Sequence, residues 1–178
     1  MIQSDKFDSF NMDIKKITNT AFNFIIKRLI EILGLLLSFL ALLLIVALIT
    51  YSPEDPNFIF PDGTQIDNLL GYKGSFVADI FFQSVGLISY LVSITLLITG
   101  INIFIKKQIL IIIDSVFFIT LYSILGSFFL SYFYNDNLIL HINGNGGFVG
   151  NFINNTFFNN IINSQENISY YLLILVIL

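Results

Sequence analysis

The sequence predicts an all-α protein: a polytopic integral membrane helical bundle with four spans, the last of them truncated, plus an interfacial amphipathic helix. The chain is 56% hydrophobic and 11% charged, whereas a soluble domain carries about 25% charged residues. Its mean hydropathy is +0.84. The apolar runs are long and continuous instead of alternating, which is typical of membrane helices and not of a membrane barrel.

Three apolar runs are long enough to cross a bilayer, since a helical span needs about 20 residues. They cover residues 29–50, 76–105 and 109–134. The second run exceeds one crossing, so we expect it to tilt or to begin outside the hydrocarbon. A final run, residues 168–178, is too short for a crossing. It is interpreted as part of a truncated fourth span, which predicts that this chain is the front of a larger membrane protein.

The segments between these runs are more polar. Residues 1–28 are predicted to form a cytoplasmic N-terminal tail or surface helix, and residues 29–178 to form the membrane domain. Two long loops, residues 51–75 and 135–167, separate the spans. In the second loop, apolar and Asn residues alternate every three or four positions from Phe148 onward. This pattern predicts an amphipathic helix lying in the membrane interface.

Positive charge predicts the orientation, because Lys and Arg collect on the cytoplasmic side of short membrane segments. Five of the eight Lys and Arg residues precede the first span, and Lys106 and Lys107 join the second span to the third. Lys73 is the single Lys or Arg residue in the two long loops. The sequence therefore predicts a cytoplasmic N-terminus and two loops outside the cell.

Ionisable residues near the spans are the candidates for function, since such residues are rare within a membrane. Asp79 lies about one turn into the second run, and we interpret it as a polar group at the outer surface. Asp114, on the inner side, is expected to snorkel or to pair with Lys106 or Lys107. Glu31 is placed to pair with Lys27, four residues earlier. Acids in opposite leaflets argue against a transport pathway.

Other chemistry is sparse. The chain has no cysteine and one histidine, His141, so a thiolate site or a multi-histidine metal site cannot form within one chain. The glycine-rich run at residues 143–147 follows no strand and precedes no Gly-Lys-Ser/Thr, so it does not fit a phosphate loop. We therefore predict no catalytic, cofactor-binding or metal-binding residue.

The loop after the first span carries the sharpest motif. Tyr51-Ser52-Pro53-Glu54-Asp55-Pro56 resembles the YSPxDP segment that follows span one in the FtsK/SpoIIIE family of bacterial DNA translocases. A second motif, N-x-x-G-x-x-G-x-x-x-A-D, resembles that family's entry into span two, and three later residues continue the match. The residues that carry the resemblance are Tyr51, Ser52, Pro53, Asp55, Pro56, Asn68, Gly71, Gly74, Ala78, Asp79, Gly86, Tyr90 and Gly100. The resemblance covers roughly residues 25–178. Family members often have a proline after the Tyr-Leu of span two, where this chain has Val92 and Ser93.

The resemblance implies the N-terminal four-helix membrane domain of an FtsK-like translocase. Such proteins sit in the bacterial inner membrane at the division septum, where a cytoplasmic ATP-driven motor moves DNA during cell division and chromosome segregation. The motor motifs do not occur in these residues. We therefore expect no enzyme activity of this chain and no cofactor, since ATP and Mg would belong to the motor. The implied partners are the lipid bilayer, other division membrane proteins and a second copy, with DNA reached only through the motor.

Two other classes of function fit the sequence less well. A small polytopic transporter or channel subunit would need polar groups converging at mid-membrane, where these spans hold only Ser and Thr. A membrane enzyme with an interfacial site would need a His/Asp/Glu cluster on neighbouring helix ends. The single histidine of the chain argues against such a cluster.

Overall fold

The computed structural model describes residues 2–56, 66–134 and 143–158, and side chains within 16–56, 66–134 and 143–156. In this part of the chain all regular structure is helical. The helices are α1 (Ile2–Ile49), α2 (Gly71–Val85), α3 (Ser89–Lys106), α4 (Ile111–Phe133) and α5 (Gly147–Ile153), with a 3-10 turn at Gly86–Ile88 and a π-turn at Asn154–Phe158. The fourth span predicted at residues 168–178, and His141, lie outside the described residues.

The first helix is continuous from Ile2 to Ile49, without a break near residue 28. Residues 2–28 thus continue into the first span as one helix, and their assignment as a cytoplasmic tail or surface helix stays a prediction. The physical reason for the continuity is visible in the sequence, since no Gly or Pro occurs before Gly34 to interrupt the helix.

Helices α1 and α3 form the central antiparallel pair. A Cβ added to Gly34 would lie 2.6 Å from the backbone N of Phe104, and one added to Gly100 would lie 2.6 Å from the backbone N of Ser38. Farther along, the Tyr90 hydroxyl donates to the Leu48 carbonyl at 3.2 Å. Glycine allows the two backbones to approach closely at one end, as small residues do in membrane helix pairs. The contact persists along almost the whole of α3.

The second predicted span is divided. Gly86 has φ +64°, a left-handed conformation that favours glycine, and the chain makes a 3-10 turn before α3 begins. Helix α3 has 18 residues, about 27 Å at 1.5 Å per residue, which is already close to a full hydrocarbon thickness. The long apolar run at residues 76–105 is therefore divided at a sharp turn. Its first part belongs to α2, which packs against the last turns of α1, and its second part is α3.

The described helices bury small and polar residues and expose apolar ones. In α4 the buried residues are Ser123, Ser127 and Ser131, four residues apart. In α5, Phe148 and Phe152 are more than half exposed, whereas Gly147 and Gly150 are buried. This arrangement suits a lipid surround, where apolar side chains face the acyl chains and helices associate through small residues. Three described helical segments are long and apolar enough to cross a membrane: Lys16–Ile49, Gly71–Lys106 and Ile111–Phe133.

Candidate functional site: a buried polar assembly beside the end of α1

The turn that follows α1 is organised around the carboxylate of Asp55. This side chain is 2% exposed. One of its oxygens accepts from the backbone N–H of Asp67 at 2.8 Å and the other from that of Asn68 at 3.0 Å. Its own backbone N–H donates to the Ser52 carbonyl at 3.2 Å and closes the turn, with Pro53 exposed at its tip. Asp55 thus joins two stretches of the first loop.

Asn68 connects this turn to the end of α1. Its Nδ2 donates to the carbonyls of Ala47 at 2.9 Å and Thr50 at 3.3 Å, and its Oδ1 accepts from the Leu70 N–H at 3.0 Å. The last carbonyls of a helix have no partner within the helix. A buried loop side chain supplies one here, so Asn68 acts as a C-terminal cap contributed from a distant part of the sequence.

The two glycines that follow Asn68 have separate geometric reasons. Gly71 has φ +65°, a conformation that favours glycine where the chain enters α2. Gly74 packs directly on Asn68, and an added Cβ there would collide with the Asn68 amide oxygen and the Leu70 Cβ. Pro56 joins the turn after α1 to α2, because its carbonyl accepts from the buried Ser75 hydroxyl at 3.1 Å. The N-x-x-G-x-x-G spacing therefore lets the chain pack closely around the side-chain amide of Asn68.

Asp79 is buried inside the protein, at 2% exposure, and its expected place near the outer surface of the membrane stays a prediction. Its Oδ1 accepts from the Tyr51 hydroxyl at 3.0 Å and from Gln83 Nε2 at 3.4 Å. The turn after α1 places the Tyr51 ring over this position. Burial, together with the adjacent Asp79 carboxylate, raises the pKa of the Tyr51 hydroxyl. Ala78, the preceding residue, is completely buried.

Hydrogen bonds continue from Gln83 into the second long loop. Asn143 Nδ2 donates to Gln83 Oε1 at 2.9 Å, and Asn151 Nδ2 donates to the Asn143 carbonyl at 2.7 Å. The Ser131 hydroxyl of α4 donates to Asn151 Oδ1 at 2.7 Å. The chain of bonds from Tyr51 to Ser131 therefore joins α1, α2, α5 and α4. Sequence reasoning did not single out Gln83, Asn143, Asn151 or Ser131 as a group, because no local spacing connects them.

The glycine-rich run in the second loop packs against the break between α2 and α3. The Leu87 N–H, freed by the turn at Gly86, donates to the Asn145 carbonyl at 3.0 Å. A Cβ on Gly147 would lie 2.5 Å from the Gly86 nitrogen, and the Ser127 hydroxyl donates to the Val85 carbonyl at 2.9 Å. The run is thus a packing loop that satisfies backbone groups exposed by the break.

Below, the polar assembly means two neighbouring hydrogen-bonded groups, Asp55 with Asn68 and Tyr51 with Asp79 and Gln83. Of the other residues that carry the motif, Tyr90 packs beside it, since the Phe82 ring lies between the rings of Tyr51 and Tyr90, with centroids 4.9 and 5.4 Å away. Gly100 does not belong to it and lies in the α1–α3 contact near Ser38. The structure therefore brings together most motif residues that were scattered over the first loop and span two.

A second polar group lies at the other end of the α1–α3 pair. Glu31 forms ion pairs with Arg28 on its own helix and with Lys107 at 2.7 Å, just after α3. The expected pairing of Glu31 with Lys27 is therefore replaced by these two. Because Lys107 is taken by Glu31, the pairing expected for Asp114 is not seen, and no ion pair of Asp114 occurs in the described part of the chain. We call Arg28, Glu31 and Lys107 the Glu31 triad.

The chemistry available to the polar assembly is structural. Both oxygens of Asp55 and the Oδ1 of Asp79 are occupied by donors from the protein itself. Within the three described ranges no group of three or more His, Cys, Asp or Glu side chains is arranged to hold a metal ion. Buried, satisfied polar groups of this kind hold a unique arrangement of segments.

Comparison with known proteins agrees with this location of the motifs. Residues 26–178 match the family model described as the 4TM region of DNA translocase FtsK/SpoIIIE. The chain is similar to the DNA translocase FtsK of Azospirillum brasilense, with 32% identity over 88 residues, which is 48% of this chain and 14% of that protein. It is 37% identical over 67 residues to the DNA translocase FtsK of Rhizobium meliloti (strain 1021), covering 38% of this chain and 8% of that protein.

A third relative, the DNA translocase FtsK of Agrobacterium fabrum, is 38% identical over 64 residues, which is 36% of this chain and 7% of the relative. The matches thus span at most 14% of the length of these three relatives. No solved structure matches the chain significantly.

Proposed function

Because this chain belongs to the family described as the 4TM region of DNA translocase FtsK/SpoIIIE, we propose that it anchors an FtsK-like DNA translocase at the division septum. The chain is a membrane-anchoring domain of FtsK type and an inner-membrane protein. The DNA-moving activity named for its relatives belongs to proteins much longer than these residues. In this proposal the chain positions such a motor and contributes no catalytic step.

The observation that carries the proposal is the location of the family motif residues. Most of them lie in a buried assembly beside the end of α1, where Tyr51 bonds to Asp79 and the side chains of Asp55 and Asn68 bond to backbone groups. Around them the helices present mostly apolar side chains outward. This is the design of a rigid membrane scaffold, whose function lies in where it sits and what it touches.

We further propose that the N-terminus is cytoplasmic and that both long loops are outside the cell. The distribution of positive charge supports this orientation. The polar assembly then lies near the outer surface, where the two loops offer contacts to other division proteins, and the exposed helix faces offer contacts to a second copy. A transporter or channel is not favoured, since the family match and the satisfied polar groups both point to anchoring.

The experiment is a replacement of the membrane domain. This chain, joined to the rest of the fourth span, the linker and the motor of a related translocase and carrying a fluorescent protein, is expressed in a strain lacking the native membrane domain. We expect enrichment at midcell and restored division. Even distribution around the envelope, with the fusion intact in the membrane fraction, would contradict septal anchoring.

A matched pair of variants tests whether targeting depends on an intact polar assembly. Asp55→Ala opens the polar assembly and is expected to reduce midcell enrichment, whereas Lys73→Gln changes an exposed side chain of α2 and is expected to leave it unchanged. Reporters fused in the 51–75 loop and after Lys107 test the orientation separately. A reporter after Lys107 that is active outside the cell would overturn the proposed topology.

A further inference from the structure

Two cationic side chains from different parts of the chain meet at one carboxylate where α1 and α3 approach each other at the Arg28 end. Each oxygen of the Glu31 carboxylate holds one cation, Arg28 on α1 and Lys107 just beyond α3. Lys27 and Lys106, the neighbours of these cations in the chain, are both exposed. Together these five residues carry a net charge of +3.

The cations of the Glu31 triad are held in place and still have free hydrogen-bond donors. The Glu31 side chain is only 13% exposed, whereas Arg28 is 56% and Lys107 42% exposed. A guanidinium has five N–H donors and an ammonium three, so each cation that gives one nitrogen to Glu31 keeps donors free for another anion. Arg28 also lies 5.0 Å from the centre of the Phe24 ring, which further holds its position. The carboxylate therefore acts as a positioning group for two cations from different helices.

The surroundings are those of a membrane interface. Leu29, Ile105 and Leu110, which flank the cations in the chain, are more than half exposed. An anion bound at the triad would therefore lie beside exposed apolar side chains. A ligand with a charged head and apolar tails fits this combination, and a small soluble anion uses only part of it.

We propose that Arg28 and Lys107, positioned by Glu31 and assisted by Lys27 and Lys106, form a binding site for the phosphate headgroup of an anionic phospholipid. Basic pockets between membrane helices recognise such headgroups on the cytoplasmic side. The proposed function, with its cytoplasmic N-terminus, is needed here only to say that the lipid belongs to the cytoplasmic leaflet. The phosphate group pairs with the free donors of Arg28 and Lys107, and the acyl chains lie along the exposed faces of α1 and α3.

The test uses the full chain purified in detergent and analysed by native mass spectrometry. Phosphatidylglycerol is titrated against phosphatidylcholine with identical acyl chains, and inorganic phosphate is added in a separate series. We expect phosphatidylglycerol to be retained in preference to phosphatidylcholine. Each neutralised cation is expected to weaken this retention about fivefold, since a basic residue near an anionic membrane surface contributes about 1 kcal/mol.

Two sets of variants keep the test informative. Arg28→Gln/Lys107→Gln removes the two cations held by Glu31, and Lys27→Gln/Lys106→Gln removes the two outside the triad and leaves its ion pairs intact. Lys73→Gln, on a helix at the far end of α1, is the control and is expected to retain the lipid as the unaltered chain does. Circular dichroism checks that each variant keeps its helix content.

Equal retention of the two lipids by the unaltered chain would overturn the proposal, as would a loss in Lys73→Gln as large as in the other variants. Displacement of the lipid by millimolar inorganic phosphate would assign the site to free phosphate and overturn the lipid headgroup. Because the measurement uses purified protein, its failure leaves septal anchoring unaffected, and a failure of midcell enrichment leaves this result unaffected.

Discussion

The two ends of α1 use similar polar chemistry in opposite ways. At its C-terminal end, Asp55 and Asn68 are buried and every hydrogen bond described for their side chains goes to the protein's own backbone. At the Arg28 end, one carboxylate holds two cations that are each about half exposed. The first group joins segments far apart in the sequence, and the second leaves free donors at the surface.

The difference teaches where a polar interaction stabilises a membrane protein. A buried donor or acceptor that loses its partner costs its full desolvation penalty, because no water replaces the partner. An exposed ion pair contributes little, because water and headgroups compete for both charges. We therefore expect stability to depend on the polar assembly and surface recognition to depend on the Glu31 triad.

The largest effect is expected for Asp55→Ala. The change leaves the part-buried N–H of Asp67 and the buried N–H of Asn68 without their acceptors, and each hydrogen bond to a charged group contributes about 1.5–3 kcal/mol. We expect unfolding in detergent at a clearly lower temperature, measured as loss of the monodisperse peak after heating. Glu54→Ala, an exposed position in the same turn, serves as the control. Equal stability of the two variants would show that the polar assembly does not hold the fold.

The next effect concerns the close approach of α1 and α3. In Gly34→Ala the new methyl would lie 2.6 Å from the Phe104 nitrogen and 2.8 Å from the Gly100 oxygen, both backbone atoms. Overpacking of this kind costs about 1–3 kcal/mol, so the unfolding temperature should fall. In Gly126→Ala the nearest atom is the end of the flexible Ile88 side chain, at 2.6 Å. Gly126→Ala should therefore be tolerated, and a greater loss in Gly126→Ala would contradict the assigned contact.

Tyr51→Phe is expected to have a smaller effect, since it removes one hydrogen bond to Asp79 and keeps the ring against Phe82. The expected loss is about 1–2 kcal/mol. Tyr72→Phe, at an exposed position, is the matched control.

The same variant carries a pH signature. The pKa of Tyr51 is raised in the folded chain by burial and by Asp79, so the unfolded chain loses this proton first. The stabilisation is complete below the ordinary tyrosine value of about 10 and is lost as the pH rises above it. Unfolding temperatures measured from pH 8 to 11 should fall less steeply for Tyr51→Phe. Identical slopes would contradict the burial of this hydroxyl.

The smallest effect on stability is expected for Glu31→Gln. It breaks both ion pairs of the Glu31 triad, but the partners stay solvated. The unfolding temperature should change less than in Asp55→Ala, Gly34→Ala or Tyr51→Phe, and the difference should shrink further at high salt because exposed charges are screened. A loss comparable to that of Asp55→Ala would mean that the two ends of α1 do not differ as described.

Sequence reasoning reached the fold class and the family but only part of the site. Continuous apolar runs predicted membrane helices, and the Tyr51–Pro56 and Asn68–Asp79 motifs indicated the family that the comparison confirmed. The break at Gly86 was missed, because the apolar pattern runs through it without interruption. The burial of Asp79 beneath Tyr51 was also missed, since hydropathy gives the position of a residue along a span and not the side chains folded over it.

The sequence by itself thus determined that the chain is an all-helical membrane protein. Lipid offers no hydrogen-bond partners, so a long apolar run must form a helix to pair its own backbone N–H and C=O groups. It also determined the family, through short motifs with fixed spacing. Only the tertiary structure decided which polar groups meet. Asn68 caps α1 across 21 positions, and Asn143 reaches Gln83 across 60. These contacts join segments whose proximity no local period encodes, and the need to satisfy each buried polar group selects them.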